Sequence, residues 1–244
     1  GVIAWLRRRP LVIHEQNAVA GTTNRILRRF ADHVLEAFPG SLPGAELVGN
    51  PVRASVEAIP APQQRLAGRQ GAFQVLVLGG SQGARFLNQT VPQALKECGT
   101  ELEIWHQCGN RWLEETRQSY QEAGLPARVE RFVEDMAAAY SWADLVICRA
   151  GAMTVAELAS AGVASLLVPF PFAVDDHQSA NADWLVSAGG ARVADESATT
   201  TKTLAALVTE LLDRDRLLTM AEAARSRAMP ASASRIAEIC RGLA

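Results

Sequence analysis

From residue 73 to residue 194 the chain alternates short apolar runs with longer amphipathic segments, and this rhythm limits the fold more than any other feature. Residues 75–78, 102–106, 128–133, 144–148, 164–168 and 191–194 read as strands. Between them, helical patterns run from the turn at 79–83 to about 96, over 111–123, through 140, over 152–160 and over 178–187. Strands that all run the same way need long crossovers, and helices supply them. The pattern therefore predicts an α/β fold with a parallel sheet covered on both faces. Upstream lies a shorter stretch of the same kind: a strand at 11–13, a helix at 22–31, a strand at 34–37 and turn chemistry at 39–44. The break at Gly49-Asn50-Pro51-Val52-Arg53 suggests a domain boundary near residue 52. Two helices fill 203–228, and a last one runs from Pro230 through 239.

The 244 residues are 48% apolar and 20% charged, enough to bury such a core. A net charge of −2 offers no broad basic field, so no nucleic acid partner is expected. Cys98, Cys108, Cys148 and Cys240 have neither zinc-site nor redox spacing, so no metal is expected and a reducing compartment fits. No apolar run reaches the roughly 20 residues of a membrane span. The chain opens Gly1-Val2-Ile3-Ala4-Trp5, without Met, and a strand-like segment follows almost at once. We expect earlier elements of the first unit to precede it.

Gly79-Gly80-Ser81-Gln82-Gly83-Ala84 joins a strand to a helix, where backbone N–H groups and a helix dipole can hold an anion. A tight turn explains it as well. Gly79-x-Ser81-x-Gly83 also matches the nucleophile elbow of serine hydrolases, with Asp144 or Asp175 and His177 in suitable chain order. Arg149-Ala150-Gly151-Ala152-Met153-Thr154-Val155-Ala156-Glu157 again follows a strand and opens a helix. Its N–H groups at Gly151, Ala152 and Met153 can take a diphosphate, and Glu157, on the face of Thr154, can accept both hydroxyls of a ribose. Such turns at strand C-termini are where α/β sheets bind ligands. Asp175-Asp176-His177-Gln178 and Asn181 form a polar loop suited to sugar hydroxyls, or a helix cap. Asp175-Asp176 lacks the spacing of a DxD metal motif. His14-Glu15-Gln16-Asn17 directly follows a buried strand and is a further site candidate. Trp5 with Arg7, Arg8 and Arg9 suits an anionic membrane surface, or a solvated helix end.

Together, His14-Glu15-Gln16-Asn17, Gly49-Asn50-Pro51-Val52-Arg53, Gly79-Gly80-Ser81-Gln82-Gly83-Ala84 and the 151–157 segment resemble the MurG family, the undecaprenyl-diphospho-muramoylpentapeptide N-acetylglucosaminyltransferases, in order and spacing along essentially the whole chain. The resemblance implies a GT-B fold of two Rossmann-like domains, the first only partly present. Residues 1–52 would end the acceptor domain, 53–227 would form the donor domain, and 228–244 would return to the acceptor domain. It implies inverting transfer of N-acetylglucosamine from UDP-N-acetylglucosamine to an undecaprenyl-linked muramoylpentapeptide, without a cofactor, at the cytoplasmic face of the bacterial inner membrane. Carried over by motif, Glu157 would hold the ribose, and Ser81, Gln82, Gly83 and the turn at Gly151, Ala152 and Met153 would face the diphosphate. Val133 would offer backbone groups to the uracil. Thr154 and Gln178 would contact the sugar, and Asn17 and Arg53 would line the cleft; His177, where family members often carry Gln, and Asn181 are further binding candidates of the polar loop. Within this chain His14 or Glu15 would assist proton removal, the family's glycine-rich acceptor loop lying before residue 1. Trp5, Arg7 and Arg8 would face the membrane. A UDP-N-acetylglucosamine 2-epimerase and a non-catalytic UDP-sugar-binding module are the alternatives.

Overall fold

The computed structural model describes residues 1–173 and 176–243. Its larger part is a six-stranded sheet built from β4 (Phe73–Leu78), β5 (Leu102–Gln107), β6 (Arg128–Glu130), β7 (Leu145–Cys148), β8 (Ala164–Leu167) and β9 (Ala191–Val193). The spatial order is β6-β5-β4-β7-β8-β9, and every pairing is parallel. Winding therefore starts at β4 and proceeds outward in both directions. That is the doubly wound order, and its crevice lies where β4 meets β7.

Alternation along each strand divides the core in two. Val75, Val77, Leu145, Ile147 and Leu166 point to one face, and there meet α5 (Arg85–Glu97), α6 (Leu113–Ala123) and α10 (Thr201–Leu211). Leu76, Leu78, Val146, Cys148 and Leu167 point to the other, against α7 (Met136–Trp142), α8 (Ala152–Ala161) and α9 (His177–Val186). Residues such as Leu76, Val146 and Leu167 are fully buried. Each contributes roughly 1.5–3 kcal/mol by leaving water. α6 and α8 stop at Gly124 and Gly162, both left-handed, which is why these helices end where they do.

The smaller part is a parallel sheet of β1 (Val12–Glu15), β2 (His33–Glu36) and β3 (Glu46–Leu47). α1 (Val2–Leu6) precedes it, and α2 (Thr22–Leu27) lies between β1 and β2. Short helices α3 (Ala54–Glu57) and α4 (Pro62–Arg65) lead into the large sheet. After α11 (Arg214–Arg225), α12 (Ser232–Gly242) turns back: its Ile239 packs with Leu35 and Val48, and Arg235 clasps Glu46 at 2.8 and 2.9 Å. Gly49 marks the crossing. A Cβ there would stand 2.6 Å from the Ser232 hydroxyl and 2.7 Å from the Met229 Cβ, and φ is +78°.

Several expectations need correction. The 22–31 helix closes at Leu27, and the 128–133 strand ends at Glu130 because the chain turns toward α7. The opening residues form helix α1, and the strand expected after them is β1. The last helix begins two residues after Pro230. β3, α3 and α4 were not anticipated.

Candidate active site

Two glycine-bearing loops meet at the crevice: residues 79–84 after β4 and residues 149–151 after β7. α8 begins there with Gly151 at its N-cap position and no side chain satisfying its first N–H groups. The N–H groups of the first turn are thus left to a ligand, and the helix dipole favours an anion. One turn into α8, Glu157 is only 7% exposed. Its Oε2 accepts from the Tyr140 hydroxyl at 3.0 Å, and its Oε1 from Arg53 Nε at 3.3 Å, with a second Arg53 nitrogen at 3.2 Å. Burial first, and then the neighbouring carboxylate, push the Tyr140 pKa well up, so this hydroxyl stays a donor. Arg53, Leu78, Gly80, Ser81, Gln107, Phe132, Val133, Met136, Tyr140, Cys148, Arg149, Thr154 and Glu157 line one cavity.

Arg53, Ser81, Val133, Thr154 and Glu157, expected from the sequence, thus come together. Val133 is 2% exposed, while its N–H and C=O have no hydrogen bond among the described residues. Phe132 beside it is 61% exposed. Gly83 does not present its N–H to a ligand. That group donates to Gly80 O at 2.9 Å, and a Cβ at Gly83 would stand 2.3 Å from Cys108 O and 2.4 Å from the Trp112 ring. Gly83 therefore closes the turn. Gln82 is exposed and outside the cavity lining, and its carbonyl accepts from Trp112 Nε1 at 3.3 Å.

A second cleft is lined by His14, Glu15, Gln16, Asn17, Val19, Gly21, Asn24 and His177. His14 Nε2 donates to Gly49 O at 3.0 Å, leaving Nδ1 as the acceptor nitrogen. Burial lowers the His14 pKa below 6.5, against the opposing pull of that hydrogen bond and of Glu15, so the ring is neutral near pH 7. Glu15 behaves differently. Its carboxylate accepts from Asn17 N at 2.9 Å, Asn24 Nδ2 at 2.9 Å and Gly21 N at 3.1 Å. Burial would raise its pKa, but these donors together hold it lower. A carboxylate so engaged braces the 16–24 loop and is poorly suited to take a proton.

Asn181 is fully buried and has no surface to offer a sugar. Its Oδ1 accepts from Ala18 N at 2.8 Å, and its Nδ2 donates to Asn17 Oδ1 and Ala150 O, both at 3.2 Å. Asn50 adds a bond from Nδ2 to Gln16 O at 3.0 Å. These asparagines pin the first cleft's turn to the second cleft's loop. Gln178 Oε1 accepts from Phe170 N at 3.0 Å, and its NH2 group remains a donor. Asp176 occupies the N-cap position of α9, yet its carboxylate takes the Ser179 hydroxyl at 2.6 Å and caps no backbone N–H. Asp175 lies outside the described residues.

Among the described residues the hydrolase arrangement is not present: Ser81 lines the first cavity and His177 the second cleft. Asp144 sits just before β7, at the opposite end of the parallel sheet from Ser81, and is held by Arg69 at 2.7 Å and Arg214 at 2.6 Å. Among the described residues no cluster could hold a metal ion.

Residues 74–236 match the glycosyltransferase family 28 C-terminal domain. The chain is 54% identical to the UDP-N-acetylglucosamine--N-acetylmuramyl-(pentapeptide) pyrophosphoryl-undecaprenol N-acetylglucosamine transferase of Nitrosococcus oceani, over 98% of this chain and 68% of that protein. It is 54% identical to the Xanthomonas euvesicatoria protein of the same name, over 98% of this chain and 56% of that one. The crystal structure of Acinetobacter baumannii MurG superposes with a TM-score of 0.91 at 42% identity, over 99% of this chain and 69% of that one. The chain belongs to the MurG family. It is thus a GT-B glycosyltransferase with the C-terminal Rossmann-like domain present. A putative UDP-N-acetylglucosamine 2-epimerase from Listeria monocytogenes, 13% identical with a TM-score of 0.65, shares the fold alone. Sequence reasoning had placed Arg149 at the head of the 149–157 segment but had not singled out Gln107, Met136 or Tyr140 of this cavity. Only the polar Gln107 at a strand's end carried a signal.

Proposed function

We propose that this chain binds UDP-N-acetylglucosamine in the cavity between β4 and β7, and that the protein transfers its N-acetylglucosamine, with inversion, to the C4 hydroxyl of an undecaprenyl-linked muramoylpentapeptide. The observation that carries this is the pairing of an uncapped α8 N-terminus with buried Glu157 one turn later. On this reading Glu157 accepts the ribose hydroxyls, Tyr140 aims it, and Arg53 shares it with the incoming nucleotide. Val133 offers its free backbone groups to uracil, with Phe132 exposed beside them. Ser81 and the N–H groups of residues 152–154 receive the diphosphate, and Thr154 and Gln178 meet the sugar. As the C1–O bond breaks, negative charge grows on the diphosphate. The α8 dipole and its free N–H groups stabilise that charge without reorganising. Neutral His14, with an open Nδ1 in the adjoining cleft, assists removal of the acceptor proton. Glu15, Asn17 and Asn181 position the loop that carries it.

Residues 1–52 are assigned to the acceptor side, 53–227 to the donor domain and 228–244 to the return crossing. Trp5, Ile3 and Leu6 are 51%, 69% and 66% exposed on α1, with Arg7 and Arg8 following. An apolar face ringed by cations suits peripheral docking on an anionic bilayer, at the cytoplasmic face of the inner membrane. Among the described residues no helix is long and apolar enough to cross a membrane.

NMR of the sugar with donor and lipid acceptor together tests the assignment. The reading predicts β-linked N-acetylglucosamine on the lipid and one UDP released per transfer. Conversion of the sugar nucleotide to its 2-epimer without acceptor would contradict it.

A further inference from the structure

Gln107 ends β5 at the back of the donor cavity and is 5% exposed. Its side chain forms three hydrogen bonds. Oε1 accepts from Gly80 N at 3.0 Å, and Nε2 donates to Gly80 O at 3.0 Å and to Arg131 O at 2.9 Å. Its own carbonyl accepts from Gly79 N at 2.9 Å. The carboxamide thus pairs with Gly80 as a strand residue would, just where β4 has ended and the chain turns out at φ +76°. On the other side it holds the carbonyl that immediately precedes Phe132 and Val133.

One side chain therefore ties together two walls of the cavity. The Gly80-Ser81 wall faces the proposed diphosphate, and the Phe132-Val133 wall faces the proposed base. Only a carboxamide of this length satisfies the pattern, which needs one acceptor and two donors from a single planar group. A carboxylate would turn acceptor lone pairs toward two carbonyls. An apolar side chain would strip Gly80 N and Arg131 O of these partners, while Gly80 O would keep only its bond from Gly83 N.

The structure assigns Gln107 as a positioning residue that sets the distance between the base-facing and diphosphate-facing walls, and so selects a nucleoside diphosphate over a ligand that touches one wall only. This rests on the donor-site reading above. Gln107 needs no contact with the reacting atoms to do it.

Isothermal titration of the chain with UDP and with uridine, for wild type and Gln107→Met, is the test. UDP binding by the wild type checks the underlying reading, and its absence would overturn that reading itself. Given wild-type binding, the assignment predicts that Gln107→Met weakens UDP by about tenfold or more and uridine by less than about threefold. Equal losses for both ligands would reduce Gln107 to a general structural role, and unchanged UDP affinity would overturn the assignment outright. Gln107→Glu keeps the test open if the Met variant does not fold. A protonated carboxyl restores one donor beside its acceptor, so UDP affinity relative to wild type should recover between pH 8 and pH 5.5. A ratio that stays flat with pH, or affinity equal to wild type at pH 8, would overturn it.

Discussion

Glu157 holds the account together because its two oxygens have different keepers. Arg53 is half exposed and can yield its place, whereas Tyr140 is buried and cannot. Replacing Glu157 with Ala should weaken UDP binding by about 1.5–3 kcal/mol, the range for losing a charged hydrogen-bond partner. Tyr140→Phe should cost less, about 1 kcal/mol, because the carboxylate survives but loses its aim. Titration calorimetry on both variants reads the order directly, and a larger loss for Tyr140→Phe would show that Glu157 is not the ligand's partner. His14 makes a separate prediction. Its pKa lies below 6.5 and its neutral form is the one that accepts a proton, so transfer should hold from pH 8 to 6.5 and fall only at lower pH. A rate that rises on acidification would exclude it as the base.

At the scale of elements, the turn after β4 depends on Gly83 for two reasons, a positive φ and the approach of Cys108 and Trp112. Gly124, at the end of α6, has the positive φ but open space. Gly124→Ala should therefore cost about 1 kcal/mol, while Gly83→Ala should cost more, displace the loop and impair donor binding. Denaturant unfolding of the two variants compares them, and equal costs would show that the close approach is unimportant. The alternation of apolar and amphipathic segments made the large sheet legible from the sequence, because strands buried on both faces are continuous apolar runs. β3 was not legible, since Glu46–Leu47 is held by pairing with β2 and not by any pattern of its own. Glu157 could be read from its place one turn after a glycine-rich strand end. Its partners could not, because Arg53 lies 104 residues away and Tyr140 reads as an ordinary core aromatic. Asn181 misled for the same reason: its polarity suggested a sugar, but its donors and acceptor are spent joining the two clefts.

Across the whole molecule, a buried polar network stands behind the donor site. His106 is fully buried, with Nδ1 2.9 Å from the Tyr120 hydroxyl and Nε2 3.0 Å from Asn88 Oδ1, while Asn88 Nδ2 donates to Cys108 O at 3.1 Å. Asn88 thus presents its oxygen to the ring, so Nε2 carries the proton and Nδ1 accepts from Tyr120. Burial lowers the His106 pKa to about 3. The unfolded chain takes up a proton near pH 6.5 and the folded one does not, so stability falls as pH drops below 6.5, by about 1.4 kcal/mol per unit from this residue. His106→Gln should be less stable at pH 7 but show a shallower loss on acidification. Parallel curves for the two proteins would refute the linkage. Through Cys108 O the network holds the backbone one residue beyond Gln107, at the end of β5. The most direct test of the donor site is isothermal titration of this chain with UDP-N-acetylglucosamine, with ADP-glucose as control, for wild type and Glu157→Ala and without divalent metal. The account predicts selective binding of UDP-N-acetylglucosamine that is lost or strongly weakened in the variant. Equal affinity for both nucleotides, or full affinity in Glu157→Ala, would contradict it.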